Sequence, residues 1–198
     1  MNSTEICNMA LSYLGNGRIN SIDDAAEDAR KCKIHYDHDR RRMLAAYSWG
    51  FAKRIERLAL FTSDVPGWDY AYSYPAECIS VIYVYNKDGA RKKEEAREDF
   101  EIVTLDGRKT IATDVRDAWA EYTADVRDAN MFSEEFTEGL THLLASSIAM
   151  GITGNANIAM QHMQLAQQSI VSAGYYNAIE KERRMRYPNK YANERFTS

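Results

Sequence analysis

A cluster of potential metal ligands lies at residues 35–39, where the sequence reads His-Tyr-Asp-His-Asp. On a helix, His35 and Asp39 are four residues apart and share one face, an arrangement that can bind a divalent cation. The cluster lacks the glutamate of an HExxH zinc motif, and the remaining histidines, His142 and His162, are predicted on other helices. We therefore predict a polar, solvated helix face here, with no metal site and no cofactor.

Other catalytic patterns are incomplete. The segment Gly15-Asn16-Gly17 resembles the start of a phosphate-binding loop, but no strand precedes it and the Gly-Lys-Ser/Thr ending is missing, so it is interpreted as a helix stop. No Gly-x-Ser-x-Gly nucleophile motif is present. The three cysteines are far apart and form no CxxC pair, which predicts buried, reduced thiols and no disulfide or zinc site; they are Cys7, Cys32 and Cys78.

Paired carboxylates are a less specific signal. Glycoside hydrolysis requires only two acids about 5–10 Å apart across a cleft. With 29 acidic residues in the chain, some pair will always satisfy that spacing. The conceivable acids are Asp64, Glu77, Glu134 and Glu135, each of which is also explained as a surface residue or a helix cap. Enzyme activity is not predicted, and a virion-associated glycan hydrolase stays as an alternative.

An aromatic cluster in the middle of the chain consists of Trp68, Tyr70, Tyr72 and Tyr74. Such side chains can stack on bases or sugars. Lysine and arginine are not interleaved with them, which argues against single-stranded nucleic acid as the partner. Core packing together with a subunit interface is the better explanation.

The bulk composition predicts one packed domain. The chain has 198 residues, is 45% apolar and contains 13 Tyr and 3 Trp, which is ample for a hydrophobic core. A net charge of −4 favours neither nucleic acid nor an anionic membrane as a partner. The polar N-terminus predicts no signal peptide, and no apolar run approaches the ~18–20 residues of a membrane span.

The charge is distributed unevenly along the chain. Residues 181–198 hold six basic and two acidic side chains, so this segment is +4 and the rest of the chain is −8. An acidic body with a basic tail is typical of a tail that docks onto a partner. A solvated helix end followed by a frayed terminus explains the same composition equally well.

Apolar periodicity predicts the order helix, helix, small antiparallel β insert, helix, helix. The fold class is therefore mainly α with a small antiparallel β subdomain (α+β). A four-helix bundle-like core is predicted from residues 1–51 and 131–186. The β-rich insert spans 52–130, and an extended C-terminal tail spans 187–198.

Local signals set the expected ends of the first two helices. Ser3 or Thr4 is predicted to cap a short first helix, which glycine ends. A longer second helix is predicted to begin at Asp23 or Asp24 and to reach about Tyr47. Its charged face is expected to include the run Arg40-Arg41-Arg42.

Similar signals apply to the rest of the chain. Residues 79–85 give the strongest strand pattern, and Asp106-Gly107 predicts a hairpin turn. Ser133 is predicted to begin the third helix, which Gly151 and Gly154 end. The last helix is predicted from about Asn155 to Arg186, with a close-packed seam of Ala156, Ala159, Met163, Ala166, Ile170 and Ala173. Thirty such residues span about 45 Å, so its end is expected to project.

An ordered set of short segments resembles the podoviral tail tubular protein A family, the head-to-tail adaptors or connectors of tailed phages. The set covers most of residues 4–180, and its specificity lies in the order, since no single motif is catalytic. Its members are Leu14-Gly15, Ser21-Ile22-Asp23-Asp24, Ala29-Arg30, Tyr36-Asp37, Arg40 to Leu44, Ser48-Trp49-Gly50-Phe51-Ala52, Leu58-Ala59, Pro66-Gly67-Trp68, Tyr70-Ala71-Tyr72, Tyr74-Pro75-Ala76-Glu77-Cys78 and Phe132 to Gly139, with Thr153-Gly154 closing the helix.

The resemblance implies a homo-oligomeric ring of twelve subunits at the head–tail junction of a virion, assembled in the host cytoplasm. Its partners would be the portal protein on one side and a tail nozzle or tube protein on the other, with DNA passing through the lumen and no membrane involved. The resemblance also implies that the C-terminal segment reaches the portal, through Arg183, Arg184, Arg186 and Tyr187. Some relatives hydrolyse glycans, but no acid pair transfers to this chain. A helical interaction module unrelated to phage is a further alternative.

Overall fold

The computed structural model describes residues 1–62, 64–86 and 98–184. Within these residues the chain forms four α-helices and two three-stranded antiparallel sheets, which confirms the α+β class. None of the described helices combines the length and apolarity that crossing a lipid bilayer requires. The elements are α1 (Ser3–Tyr13), α2 (Glu27–Ala46), β1 (Lys53–Arg57), β2 (Tyr70–Ser73), β3 (Cys78–Tyr85), β4 (Glu101–Leu105), β5 (Arg108–Thr113), β6 (Trp119–Ala124), α3 (Glu134–Thr153) and α4 (Ala156–Arg184).

The first helix begins one residue earlier than predicted. Asn2, not Ser3 or Thr4, is the N-cap: its side chain accepts a hydrogen bond from the backbone N–H of Glu5, and the Glu5 carboxylate accepts one from the Asn2 N–H. This reciprocal capping box satisfies two N–H groups that the first turn leaves unpaired. The Asn2 amide therefore takes the capping role that was predicted for the hydroxyl of Ser3 or Thr4.

The second helix differs from its prediction in two ways. It begins at Glu27, not at Asp23 or Asp24, because the Asp24 carboxylate accepts a hydrogen bond from the Ser21 N–H and thereby holds a turn. The predicted charged face is also wrong in part. Arg40 is only 1% exposed, and its buried guanidinium forms ion pairs with Asp37 and Asp125. Arg41 and Arg42 are exposed, as predicted.

The predicted β-rich insert contains two separate sheets. One sheet has the order β1-β6-β3 and the other β2-β5-β4. The predicted strand at 79–85 and the Asp106-Gly107 hairpin are both present, with Leu105 paired to Arg108 across the turn. The strand after the hairpin crosses to the first sheet, where Trp119 pairs with Arg57 and with Tyr85. The consecutive strands β5 and β6 therefore belong to different sheets.

The two C-terminal helices form an antiparallel hairpin. The Ser133 side chain caps α3 by accepting from the Phe136 N–H, as predicted. Gly154 ends α3 at φ 65°, a left-handed conformation that glycine adopts without strain. Gly151 lies inside α3, so the prediction that it helps to end the helix is wrong. The helix α4 begins at Ala156 and reaches Arg184.

Side chains from all four helices and both sheets share one core. At its centre the Trp49 and Phe136 rings meet edge to face at 5.0 Å, and the Trp49 indole N–H donates to the Met43 carbonyl at 2.8 Å. Phe51 and Phe132 extend this aromatic cluster. Aromatic contacts of this kind fix the junction of α2, α3 and the β region.

A buried ion-pair network joins α2 to the end of β6. Arg40 lies 2.6 Å from the Asp125 carboxylate and donates at 2.6 Å to the Val126 carbonyl. Asp37 accepts two further hydrogen bonds from the same guanidinium, which lowers the pKa of the Asp37 carboxyl. Arg41 completes the network from the solvent side. The buried Arg40 charge is tolerated because two carboxylates and a backbone carbonyl surround the guanidinium.

Candidate functional site: a histidine pair beside an acidic groove

The cluster at 35–39, predicted to be a polar, solvated helix face, is solvated only in part, because Asp39 is buried. His38 and Asp37 are exposed, His35 is half-buried, and Asp39 is 1% exposed. Burial raises the pKa of the Asp39 carboxyl, although a hydrogen bond with Ser147 and the nearby histidines oppose that shift. Within the described residues, no three His, Cys, Asp or Glu side chains converge as metal ligands.

The cysteines largely follow the prediction. Cys7 and Cys32 are fully buried free thiols that hydrogen-bond to each other between α1 and α2. That contact and burial together raise the pKa of the Cys7 thiol, while the same hydrogen bond lowers that of Cys32. Cys78 is only half-buried and lies against Tyr74, where burial raises its pKa. None of the three therefore lies in the open, electropositive setting of a catalytic cysteine.

The aromatic cluster belongs largely to the core. Tyr72 is 2% exposed, and its hydroxyl donates to the Val115 carbonyl at 2.7 Å while accepting from the Ala118 N–H. The Trp68 indole N–H donates to Glu101. Tyr72 is therefore unable to stack on a base or a sugar. Tyr70 contributes to an open cavity of about 690 Å³ together with Leu60 and other residues of the β region.

The four predicted acids separate into two groups. Asp64 and Glu77 are exposed in the β region. Glu134 and Glu135 lie in the first turn of α3, where they interact favourably with the helix dipole. These two line a groove of about 380 Å³ between α3 and α4, whose other lining residues are Glu138, His142, Leu165, Gln168, Ser169 and Ser172.

His142, which lines this acidic groove, forms a pair with a second histidine. Nδ1 of His142, on α3, is 3.1 Å from Nδ1 of His162, on α4. The Tyr13 ring at the end of α1 stacks on both imidazoles, with centroids 4.8 and 5.7 Å away. The pair therefore lies where three helices meet.

Burial lowers the pKa of both imidazoles. For His142 the proximity of His162 lowers the pKa further, and the Glu138 carboxylate opposes the shift. For His162, which is 9% exposed, burial is the cause. The lowered pKa values favour the neutral form of both rings, in which one Nδ1–H can donate to the other Nδ1.

Sequence reasoning missed this pair because it placed the two histidines on different helices and did not consider how those helices pack. Antiparallel helices joined by a short turn bring together residues at equal distances from that turn. Both histidines are ten residues from Ile152, near the turn at Gly154. The Ser146 hydroxyl, which donates to the Ala159 carbonyl at 2.7 Å, follows the same register. Counting equal distances from Gly154 would instead pair His142 with Ala166, so the predicted helix stop alone does not give the register that joins the two histidines.

The predicted portal-contact residues are located only in part. Arg183 and Arg184 are the last two residues of α4. Arg186 and Tyr187 lie outside the described residues. The role assigned to all four stays a prediction.

No protein-family model matches the chain. No curated protein matches it significantly.

Proposed function

We propose that this chain is a structural head-to-tail adaptor of a tailed phage, which forms a ring between the portal and the tail nozzle or tube and a conduit for DNA. The ordered segments described above are the basis for the family. The observation that carries the proposal is the length of α4 relative to its neighbour. The 29 residues of α4 correspond to about 43 Å of helix, against about 30 Å for the 20 residues of α3.

The extra length lies at the basic end of the chain. Glu134, the first residue of α3, lines the same groove as Ser172 of α4. The α4 backbone therefore continues for twelve residues, 173–184, past the start of α3, which is about 18 Å. The basic segment 181–198 begins on this extension. A helix that carries a basic end away from an acidic body is well suited to reach a separate docking partner.

Self-association is supported by exposed apolar side chains. Met160 and Val171 are 60% and 73% exposed, and their spacing of eleven residues places them on one stripe of α4. Ile34 on α2 is 71% exposed and Leu60 in the β region 63%. A head-to-tail ring interface uses two different surfaces of each subunit, and exposed apolar residues on several elements favour such an interface.

The portal-docking role is tested by neutralising the basic extension. We expect the substitutions Arg183→Gln, Arg184→Gln and Arg186→Gln to leave the fold intact and to weaken portal binding by at least about tenfold, because rim charges determine how fast and how tightly such partners meet. A matched triple variant replaces three exposed basic residues elsewhere, Lys33, Arg42 and Arg108, with Gln. Equal portal binding by the two triple variants contradicts the docking role.

Glycan hydrolysis is the second candidate, and the acidic groove is where two of its predicted acids meet. Glu134 and Glu135 line that groove together. If the groove were catalytic, the double variant Glu134→Gln/Glu135→Gln would abolish glycan release and leave portal binding unchanged. The adaptor proposal expects no glycan release from the unmodified chain, measured with purified peptidoglycan or capsule.

A further inference from the structure

The sheet β2-β5-β4 has two open edges. On one side the segment 59–61 lies against β2 through a bridge between Leu60 and Tyr72, and on the other side β4 is the outermost strand. Among the described residues, no further strand pairs with either edge. Natural sheets usually protect an edge with charged residues or proline, whereas residues 58–61 are Leu-Ala-Leu-Phe. The edge at 59–61 therefore lacks that protection.

The backbone groups of Leu60 point away from the sheet. Two hydrogen bonds of 2.8 Å flank its bridge, one from the Phe61 N–H to the Ala71 carbonyl and one from the Ser73 N–H to the Ala59 carbonyl. In an antiparallel ladder, a residue between two such bonds directs its own N–H and C=O to the opposite side. Leu60 therefore presents one donor and one acceptor to a further strand.

Ile102 has the equivalent position on β4. The hairpin joins Leu105 to Arg108 through two residues with positive φ, Asp106 at 49° and Gly107 at 74°. A two-residue turn of this kind makes its flanking residues a hydrogen-bonded pair, and the two kinds of pair alternate along the ladder. Ile102, three residues before Leu105, therefore directs its N–H and C=O away from β5.

A row of apolar side chains crosses the sheet from one edge to the other. Leu60 lies opposite Tyr72, Tyr72 opposite Ile111, and Ile111 opposite Ile102. Directly opposite residues place their side chains on the same face of a sheet. The two inner members are 2% and 0% exposed, whereas Leu60 and Ile102 are 63% and 40% exposed. The row is thus buried in the middle and open at both ends.

The two edges carry opposite charge. Residues 53–61 include three basic side chains and one acidic side chain, whereas residues 98–106 include four acidic side chains and no basic one. Arg116 is exposed and lines the cavity on the basic side, where Asp117 is paired with Arg57. Edges of opposite charge attract each other in a head-to-tail contact, and each repels its own kind.

We propose that the sheet β2-β5-β4 continues from one copy of this chain into the next, with segment 59–61 of one copy added to β4 of its neighbour and Leu60 opposite Ile102. Strand directions alternate across the sheet, so copies in the same orientation bring these two edges together antiparallel. Leu60 and Ile102 then exchange two backbone hydrogen bonds, and the apolar row becomes continuous.

This contact joins two different surfaces of the subunit, which is what a closed head-to-tail ring requires. It rests on the ring proposed above and identifies part of its subunit interface. The open cavity of about 690 Å³ beside Leu60 and Tyr70 gives the Ile102 side chain of the next copy room on the same face of the sheet.

Cysteine cross-linking tests both the pairing and its head-to-tail sense. In a hydrogen-bonded pair the Cα atoms are about 5.5 Å apart, a distance that a disulfide can span. The full-length Leu60→Cys and Ile102→Cys proteins are mixed, with and without the portal protein, and oxidised with diamide. We expect at least about tenfold more covalent dimer in the mixture than in either protein alone, because pairing raises the effective concentration of the two thiols.

The matched control mixes Leu60→Cys with Val171→Cys, which alters another exposed apolar residue. The three native cysteines are present in every protein, so the unmodified chain gives the background. The proposal is overturned if this control, or Leu60→Cys alone, gives as much dimer as the mixture of Leu60→Cys and Ile102→Cys.

The mass of the unmodified chain with the portal separates this proposal from the adaptor function. If that chain adds to the portal but the cysteine mixture gives no excess dimer with or without the portal, the strand pairing is wrong and the adaptor function stands. If the mixture cross-links in solution but the unmodified chain ignores the portal, the pairing is supported and the adaptor function is contradicted.

Discussion

The two C-terminal helices lie side by side yet are held in different ways. Large apolar side chains hold α3 in the core, with Phe136, Leu140 and Leu144 fully buried. The buried positions on the described part of α4 are small or polar: His162, Ala166, Ser169 and Ala173.

The difference shows how one hairpin can combine a helix held by large apolar side chains with one that packs through small and polar side chains. Each buried leucine or phenylalanine contributes about 1.5–3 kcal/mol, whereas alanine and serine contribute mainly by allowing close approach. We infer that α3 provides most of the stability of this pair and that polar contacts determine the register of α4.

The largest effect is expected from shortening a leucine on α3. Leu144→Ala should lower the free energy of unfolding by about 3–4 kcal/mol, because it leaves a cavity in a fully buried site. The matched change on α4 is Leu165→Ala, at a half-buried position, where about 1 kcal/mol is expected from partial burial. Urea unfolding measures both. Equal losses would show that α4 is anchored as firmly as α3.

The next effect concerns the close approach of the two helices at Gly139. A Cβ atom at this position would lie 3.2 Å from the Ser169 Cβ and in steric overlap with the Met43 methyl group. We expect Gly139→Ala to destabilise the protein by about 1–2 kcal/mol, because overpacking exceeds the gain in helix propensity.

The matched control is Gly151→Ala on the same helix. Its nearest neighbours are Lys31 side-chain atoms at 3.7 and 3.8 Å, so the helix propensity of alanine should stabilise the protein by up to about 1 kcal/mol. Opposite signs for the two variants in thermal unfolding support the close contact. Stabilisation by both variants would disprove it.

The smallest effect is a pH dependence of the α3–α4 contact. The pKa values of His142 and His162 are lowered by burial, so the unfolded chain takes up protons at a higher pH than the folded one. Stability is therefore complete above about pH 6.5 and declines as the pH falls through that value towards the folded-state pKa values. The Glu138 carboxylate raises the pKa of His142 and so moderates this decline without reversing it.

The double variant His142→Gln/His162→Gln separates this contribution from that of the other histidines. The rest of the chain is the same in both proteins, so the difference between them reports the pair alone. We expect the double variant to lose less stability than the unmodified chain between about pH 7 and pH 5.5. An identical pH dependence in the two proteins would contradict the account.

Sequence reasoning predicted features that local chemistry determines. The Ser133 cap, the stop at Gly154 and the Asp106-Gly107 hairpin each depend on a few adjacent residues, and all three are present. The start of α2 was wrong because the Asp24 side chain holds a turn instead of capping a helix. Residue types alone do not distinguish those two uses of aspartate.

Features that depend on distant residues were predicted less well. The burial of Arg40 depends on Asp125, which follows β6 and is distant in sequence, so periodicity alone assigned Arg40 to the surface. The division of the β region into two sheets depends on strand pairing across the whole insert. The histidine pair follows from the register of α3 and α4, which becomes readable only when both helices and their turn are considered together.

The central proposal is tested most directly by measuring the mass of the purified protein alone and together with the portal protein, using native mass spectrometry. The adaptor account predicts that subunits add to the portal in a fixed ring stoichiometry, expected to be twelve from the family resemblance. It also predicts that a chain lacking residues 181–198 stays folded but adds none. A full-length chain whose mass is unchanged by the portal would contradict the account.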